Sequence, residues 1–170
     1  METFKIFSFN KKNDIRGSFI KIFDLSHLYK NLNFIYKNSE ICISNNIKKF
    51  TFRGFHYQAF PNYQKKIVYY NKGKIIDYFI DVRKKSPNYL KVFKYLLKEN
   101  DSKAIYIPKG FAHGFLTLKD NTEIIYIISG AQKKYSEKGI RYNDPILKYV
   151  KPKKISVISK RDLNFINYKK

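Results

Sequence analysis

The sequence has no tryptophan, one cysteine and few acidic residues. Its single cysteine, Cys42, excludes an intramolecular disulfide and a cysteine-rich zinc site, and it favours a reduced environment. No apolar run is long enough to cross a bilayer. The first residues, Met1 to Lys5, lack the basic-then-apolar layout of a signal peptide. We therefore expect a cytoplasmic protein that does not interact with a membrane.

The shortage of acidic residues leaves a large positive charge. The chain has 13 Asp and Glu against 35 Lys and Arg, which gives a net charge of +22. Such a charge attracts polyanions and speeds the association of anionic ligands. However, the lysines are spread along the whole chain, and no helix-turn-helix, zinc-finger or aromatic RNA-binding pattern accompanies them. The charge fits a phosphorylated small molecule equally well, so nucleic acid is not the expected partner.

The pattern of short apolar runs predicts an all-β protein. From residue 65 onward, strand-like runs such as Lys74 to Val82 alternate with turn signals. One such strand is predicted to begin at Phe115. This regular spacing is typical of a β-sandwich or barrel. The 170 residues suit a single domain over 1–170 with its own core, and residues 164–170 are expected to form a flexible basic tail.

The N-terminal third is less regular. The segment from Asn10 to Arg16 is interpreted as a polar turn, and Asp24 to Asn31 as a short helix that Asp24 or Ser26 would cap. The residue pattern over 34–47 predicts a strand that breaks near Asn45.

A lone histidine, His56, lies in the strand-like run 51–58 between Arg53 and Gln58. Histidine side chains exchange protons near neutral pH, and arginine offers a fork of donors for phosphate. If this run is one regular strand, His56 and Gln58 share a face and Arg53 lies on the other. A lone histidine is most often structural, so its interpretation depends on the motifs around it.

A series of motifs follows in order along the chain: Asp14-Ile15-Arg16-Gly17-Ser18-Phe19, Thr51-Phe52-Arg53-Gly54-Phe55-His56-Tyr57-Gln58, Lys66-Ile67-Val68, Gly73-Lys74-Ile75-Ile76-Asp77, Asp81-Val82-Arg83 with Ser86-Pro87, Ile107-Pro108-Lys109-Gly110-Phe111-Ala112-His113-Gly114-Phe115, Gly139-Ile140-Arg141-Tyr142-Asn143-Asp144-Pro145 and Ser159-Lys160-Arg161-Asp162. Together they resemble the dTDP-4-dehydrorhamnose 3,5-epimerase family. The resemblance implies a cupin jelly-roll, or double-stranded β-helix, with short peripheral helices.

The resemblance also implies an epimerase of a nucleoside-diphosphate-linked 4-keto sugar in surface-polysaccharide, capsule or deoxysugar biosynthesis. In this family a base removes a proton from C3 or C5, next to the ketone, and a proton returns to the opposite face. No cofactor or metal is implied, and the two motif histidines have too few companions for the usual cupin metal site. The resemblance further implies a homodimer, in which an N-terminal strand of one subunit completes the sheet of the other.

Particular roles follow from the same resemblance. His56 is expected to be the base, Asp162 to orient it, and Lys66 to lie near the developing oxyanion. The expected substrate-binding residues are Arg16, Phe19, Arg53, Gln58, Asn100, His113, Tyr126 and Gln132. Taken alone, Lys66 would be a surface lysine, Asp162 a solvated turn residue and His113 a buried structural histidine.

Two positions depart from the family pattern. The family's proton-donating tyrosine aligns with Gln132, which has no titratable proton. Four interpretations remain open: water reprotonates the enolate, Tyr126 or Tyr135 replaces the tyrosine, only C3 is epimerised, or the protein binds without turnover. Lys21 stands where thymidine-binding members often carry a glutamate, which leaves GDP or another nucleotide open. The alternative functions are a sugar ketoisomerase and a non-catalytic nucleotide-sugar-binding protein.

Overall fold

The computed structural model describes residues 2–32, 34, 39–130 and 132–169, and these form two facing β-sheets with a separate hairpin. The helices are α1 (Leu25–Leu32) and α2 (Lys160–Leu163), with 3₁₀ turns at Lys134–Ser136 and Pro145–Val150. The strands are β1 (Lys5–Ser8), β2 (Lys11–Asp14), β3 (Gly17–Ile20), β4 (Ser39–Asn46), β5 (Thr51–Gln58), β6 (Lys65–Lys72), β7 (Lys74–Asp81), β8 (Val92–Lys98), β9 (Lys103–Ile107), β10 (Phe111–Thr117), β11 (Thr122–Ser129), β12 (Glu137–Gly139) and β13 (Val157–Ile158).

The two sheets have interleaved chain order. One runs β1-β9-β6-β11-β4 and the other β12-β5-β10-β7-β8, with neighbouring strands antiparallel. Strand β13 pairs with β5 in parallel, and β2 and β3 form a two-stranded sheet of their own. This crossing of the chain between facing sheets is the predicted all-β jelly-roll. No helix among the described residues has the length and apolar character needed to cross a membrane.

Three apolar layers cover the faces of the two sheets. The layer between the sheets takes Val68 from β6 and Ile124 from β11 on one side, and Phe79 and Phe115 from β7 and β10 on the other. Further clusters cover the outer faces, around Tyr106 on one sheet and around Phe55 on the other. Strands covered on both faces lose the alternation of apolar and polar residues. For this reason every residue of β10 is buried.

Several element boundaries differ from the sequence prediction. The segment interpreted as a polar turn contains β2, because Gly17 at φ +127° lets the chain reverse into β3. Strand β10 begins at Phe111, four residues before the predicted start, because its pairing with β7 covers the whole motif. Strand β4 continues through Asn45, and residues 35–38 of the predicted strand lie outside the described residues. Helix α1 forms as predicted, and Asp24 Oδ1 accepts from Ser26 N at 3.0 Å.

The C-terminal segment makes specific contacts. The Phe165 ring lies 5.7 Å from the His56 ring, and it also occupies the space that a Cβ on Gly139 would need. Tyr168 N donates to Asp144 Oδ2 at 2.5 Å. Phe165 and Tyr168 thus pack against residues of the second sheet and its outer cluster, within the segment for which the sequence predicts a flexible tail.

Candidate active site

A cavity of about 560 Å³ opens between the two sheets. One wall comes from β5 and β10, which contribute Arg53, His56, His113 and Phe115. The opposite wall comes from β4, β6 and β11, which contribute Cys42, Ser44, Lys66, Tyr126 and Ile128. Helix α2 closes one end with Arg161 and Asp162. The cavity therefore brings together the expected base, its orienting carboxylate and the expected oxyanion lysine.

A bulge in β5 places Arg53 and His56 in the same cavity. His113 of β10 pairs with His56, but Phe115 pairs with Arg53, so two steps on β10 match three on β5. The extra residue breaks the period-two pattern. The prediction that Arg53 and His56 lie on opposite faces is therefore wrong. Only glycine fits at position 54, because φ is +121° and a Cβ there would lie 2.5 Å from the Gly114 Cα.

His56 forms a close pair with Asp162. Its Nε2 lies 2.7 Å from Asp162 Oδ1, and Gly54 N donates to Asp162 Oδ2 at 3.1 Å. Helix α2 holds the carboxylate, since Ser159 caps this helix and accepts from Asp162 N. Burial acts to raise the pKa of Asp162, but the hydrogen bonds, led by that from His56, outweigh it and lower the pKa. A carboxylate beside Nε2 fixes the proton there and leaves Nδ1 to accept another.

A second histidine–aspartate pair lies beside the first. His113 Nε2 is 2.6 Å from Asp77 Oδ1, and both side chains are buried. Because His113 and His56 are register partners on neighbouring strands, their side chains emerge on the same face. The His113 ring also stacks on Phe79 at 5.7 Å. The sequence motif contains Asp77, but its pairing with His113 depends on β7 and β10 lying side by side.

The opposite wall carries a lysine and a tyrosine with shifted proton affinities. Burial lowers the pKa of Lys66 to about 8, and the negative charge of Glu137 partly offsets this. Burial also raises the pKa of Tyr126 well above its ordinary value, with Asp77 adding to the shift and Arg53 opposing it. The Tyr126 ring lies 6.1 Å from the His113 ring. Lys66 can thus stabilise negative charge inside the cavity, and Tyr126 stays protonated at working pH.

Arg53 links the two sheets across the cavity. Its Nε donates to Asn46 Oδ1 at 2.8 Å, so a residue of β5 is held by a residue at the end of β4. The rest of the guanidinium can contact phosphate or sugar oxygens. Asn46, Arg161 and Cys42 are cavity or anchoring residues that the sequence did not single out. Asn46 and Cys42 lie outside the quoted motifs, and Arg161 lies inside the motif Ser159-Lys160-Arg161-Asp162 but had no role implied for it.

Five expected binding residues do not line this cavity. Arg16 and Phe19 lie on the β2–β3 hairpin, with 86% of the arginine side chain and 71% of the phenylalanine exposed. Asn100 is exposed in the β8–β9 turn. Gln58 is buried at the end of β5, and its Oε1 has no hydrogen-bond partner among the described residues. Gln132 is exposed and donates from Nε2 to Glu137 Oε2 at 3.4 Å.

The structure also shows where the residues connected with the two departures from the family pattern lie. Tyr135, which was considered as a substitute acid, is exposed and is not part of the cavity wall. Lys21 is exposed and pairs with Asp24 at 3.1 Å. Over the described ranges, no group of three or more His, Cys, Asp or Glu residues has the arrangement of a metal site. Of the tyrosines considered in place of the family acid, Tyr126 is therefore the one that faces the site.

The chain is similar in sequence to proteins of one known family. A family model described as dTDP-4-dehydrorhamnose 3,5-epimerase matches residues 1–170. A protein of that name from Shigella flexneri is 35% identical over 112 residues, which are 66% of this chain and 62% of that protein. Another from Sinorhizobium fredii is 31% identical over 156 residues, which are 89% of this chain and 78% of that protein. The alignment with the Shigella flexneri protein thus covers less than two thirds of the length of that protein.

Solved structures are similar over nearly the whole chain. The crystal structure of dTDP-4-dehydrorhamnose 3,5-epimerase from Bacillus anthracis, with TDP and PPi bound, superimposes with a TM-score of 0.88. It is 27% identical, and the match covers 97% of this chain and 94% of that one. The similarity of fold therefore extends over both sheets.

Proposed function

Because the chain belongs to the dTDP-4-dehydrorhamnose 3,5-epimerase family, we propose that it epimerises a nucleoside-diphosphate-linked 4-keto sugar at C3, and also at C5 if the ring can reorient. The observation that carries this proposal is the His56–Asp162 pair at 2.7 Å in a cavity whose opposite wall bears Lys66. Epimerisation needs a base on one face of a sugar ring and a proton donor on the other. Two facing sheets can supply both.

The proposed first step is proton abstraction by His56. Nδ1 takes the proton from the carbon next to the ketone, and the electron pair of that C–H bond moves to the ketone oxygen. Asp162 accepts the Nε2 proton in a hydrogen bond and stabilises the imidazolium that forms. The position of Lys66 supports a role at the enolate oxygen, because an ammonium in a desolvated cavity stabilises negative charge as it develops.

The proposed second step is proton return from the opposite wall. Tyr126 lies on the β11 side of the cavity, whereas His56 lies on the β5 side. A phenol there can donate its proton to carbon as the enolate collapses to the ketone, and solvent then restores both groups. Gln132 has no proton to give. We therefore propose Tyr126 in place of the family's tyrosine.

The substrate class follows from the family and the charge. We propose a nucleotide sugar, with dTDP as the first nucleotide to test, since the Bacillus anthracis structure holds TDP. Arg53 in the cavity and the net charge of +22 both favour a diphosphate. We also retain the cytoplasm as the expected location, in a pathway of deoxysugar or surface-polysaccharide synthesis.

Proton exchange in D₂O tests this function. We expect dTDP-, GDP- or CDP-linked 4-keto sugars to take up deuterium at C3, and an epimer to appear, when followed by NMR. His56→Asn should abolish both signals. A 3-keto product would instead indicate a ketoisomerase, and tight binding without exchange would indicate a binding protein. Absence of exchange with every sugar in the panel would reject the epimerase.

The hairpin supports a dimer. Strand β1 pairs with β9 of the same chain, so the expected strand exchange does not involve β1 in the described structure. Among the residues that the structure describes, however, the β2–β3 hairpin pairs with neither large sheet, and its Arg16 and Phe19 are exposed. We propose that this hairpin reaches the cavity of a second subunit in a homodimer. The same proposal explains why two expected binding residues are absent from their own chain's cavity.

A further inference from the structure

We propose that Arg161, held in place by Glu137, is a positioning residue that opposes protonation of His56, an inference that rests on the epimerase function proposed above. Arg161 lines the cavity at the end of helix α2. Its Nη2 lies 3.1 Å from His56 Nε2, and its Nη1 donates to Glu137 Oε1 at 2.8 Å. The guanidinium is therefore fixed between the base and an acidic side chain.

The contact between Arg161 and His56 is electrostatic rather than a hydrogen bond. The Nε2 atom also lies 2.7 Å from the buried carboxylate of Asp162. Without a proton on Nε2, its lone pair would face that carboxylate, so Nε2 carries the proton and donates it to Asp162. An N–H of Arg161 then faces a nitrogen that is already protonated. The positive guanidinium disfavours a second proton on the imidazole ring.

Glu137 restrains the guanidinium and balances its charge. Its side chain is 19% exposed, and its two oxygens contact different partners: Oε1 accepts from Arg161 and Oε2 accepts from Gln132 Nε2 at 3.4 Å. The residue that stands where the family has its acid is thus connected, through Glu137 and Arg161, to the base. In this chain Gln132 serves that network instead of donating a proton.

Other charged groups near the base set the balance in which Arg161 acts. Asp162 favours the imidazolium, whereas Arg161 and the cations of the cavity disfavour it. The titratable and charged groups that line the cavity around His56 include Asp162 and Arg161 on α2, Arg53 on β5, His113 on β10, Lys66 on β6 and Tyr126 on β11. Glu137 on β12 and Asp77 on β7 contact Arg161 and His113. Among them Arg161 is a cation in direct contact with the imidazole, which is why its removal should have a distinct effect.

The test is the pH dependence of deuterium uptake in Arg161→Gln. Removing a positive charge next to the imidazole stabilises the imidazolium. We therefore expect the acidic limb of the kcat/KM profile to move to higher pH by about one unit. This value is at the low end of the range for a charge at this distance, because about half of the Arg161 side chain is exposed to solvent. Arg161→Lys should restore the limb toward its original position. Glu137→Gln should move it the other way, because the charge of Arg161 is then uncompensated.

The matched control is Lys160→Gln, which removes the same charge one residue away on the exposed side of α2. We expect it to leave the limb in place. An unchanged limb in Arg161→Gln, or one that moves no further than in Lys160→Gln, would overturn the proposal. A shift of Glu137→Gln in the same direction as Arg161→Gln would overturn the role given to Glu137.

A second measurement does not need turnover. The imidazole signals of the protein can be titrated by NMR, and the His56 signal is identified by its loss in His56→Asn. Its midpoint should rise in Arg161→Gln by the same amount as the kinetic limb. If no 4-keto sugar exchanges deuterium but the midpoint still shifts, the epimerase function fails while the role of Arg161 stands. If exchange occurs and the midpoint does not move, only the Arg161 inference fails.

Discussion

The proposed chemistry depends on where a few side chains hold their protons. Two histidine–aspartate pairs lie next to each other on one wall, at 2.7 Å and 2.6 Å, and a lysine and a tyrosine lie on the other. Asp162 has a lowered pKa and Tyr126 a raised one. The resting site thus holds a carboxylate beside the proposed base and a protonated phenol on the opposite wall, an arrangement that suits proton abstraction on one face and proton return on the other.

The lowered pKa of Lys66 predicts an upper pH limit for activity. Its pKa of about 8 means that the ammonium is present below that pH and is lost as the pH rises through it. Because the charged form stabilises the enolate, we expect kcat to fall above about pH 8. The activity that remains in Lys66→Arg should persist to higher pH, because a guanidinium stays protonated. A pH–rate profile of both forms checks this, and an unchanged alkaline limb in the variant would contradict it.

If Tyr126 is the proton donor, its replacement should separate two signals, deuterium uptake and epimer formation. In Tyr126→Phe, His56 can still remove the proton and return one from solvent to the same face, so deuterium uptake should continue. Formation of the epimer should fall by about 10²–10⁴-fold, the usual value of a general acid. NMR in D₂O measures both signals at once. Tyr135→Phe is the control, because this exposed tyrosine should affect neither; equal loss of both signals in Tyr126→Phe would argue against the assignment.

At the level of elements, the bulge in β5 is what assembles the base side of the site. It brings Arg53 and His56 to one face, and it lets Gly54 N donate to Asp162. The bulge requires close approach of β5 and β10 backbones, which only glycine permits at position 54. Helix α2 then adds Arg161 and Asp162 from a region more than a hundred residues away in sequence.

Gly54→Ala is expected to destabilise the protein strongly. Its Cβ would meet backbone atoms at 2.5 Å, and its φ of +121° is unfavourable for alanine. We expect a loss of about 3 kcal/mol or more in the free energy of unfolding, measured by urea denaturation. Gly17→Ala is the control, because it has a similar φ but no atom within 4 Å of the added Cβ. It should lose only about 1–2 kcal/mol, and equal losses would contradict a steric role for Gly54.

At the level of the whole molecule, two expected binding residues lie on the hairpin and not in the cavity. The cavity of one chain contains the proposed base, lysine and tyrosine but lacks Arg16 and Phe19. An exposed hairpin with a large aromatic residue at its surface is a natural contact for a second copy. Isoleucines 41 and 43 on the edge strand β4 add further exposed apolar surface.

Mixing two inactive variants tests the shared site. One variant carries His56→Asn, and the other carries Arg16→Ala with Phe19→Ala. If the hairpin serves the partner's cavity, a heterodimer contains one cavity with both an intact base and an intact hairpin. Refolding equal amounts together should then restore activity to about a quarter of the parent level, since half of the dimers are mixed and each has one complete site. Light scattering confirms the dimer, and no recovery on mixing would contradict the exchange.

The fold class and the family could be predicted from the sequence, because turn signals, strand patterns and motif order are local properties of the chain. His56, Asp162, Lys66, Arg53, His113 and Tyr126 were predicted as site residues and all line one cavity. Three features could not be predicted from the sequence: Arg53 shares a face with His56, Asp77 pairs with His113, and Arg161 contacts the base. Strand register, a single-residue bulge and helix docking control these contacts. Each depends on packing between residues that are distant in sequence, which no local pattern records.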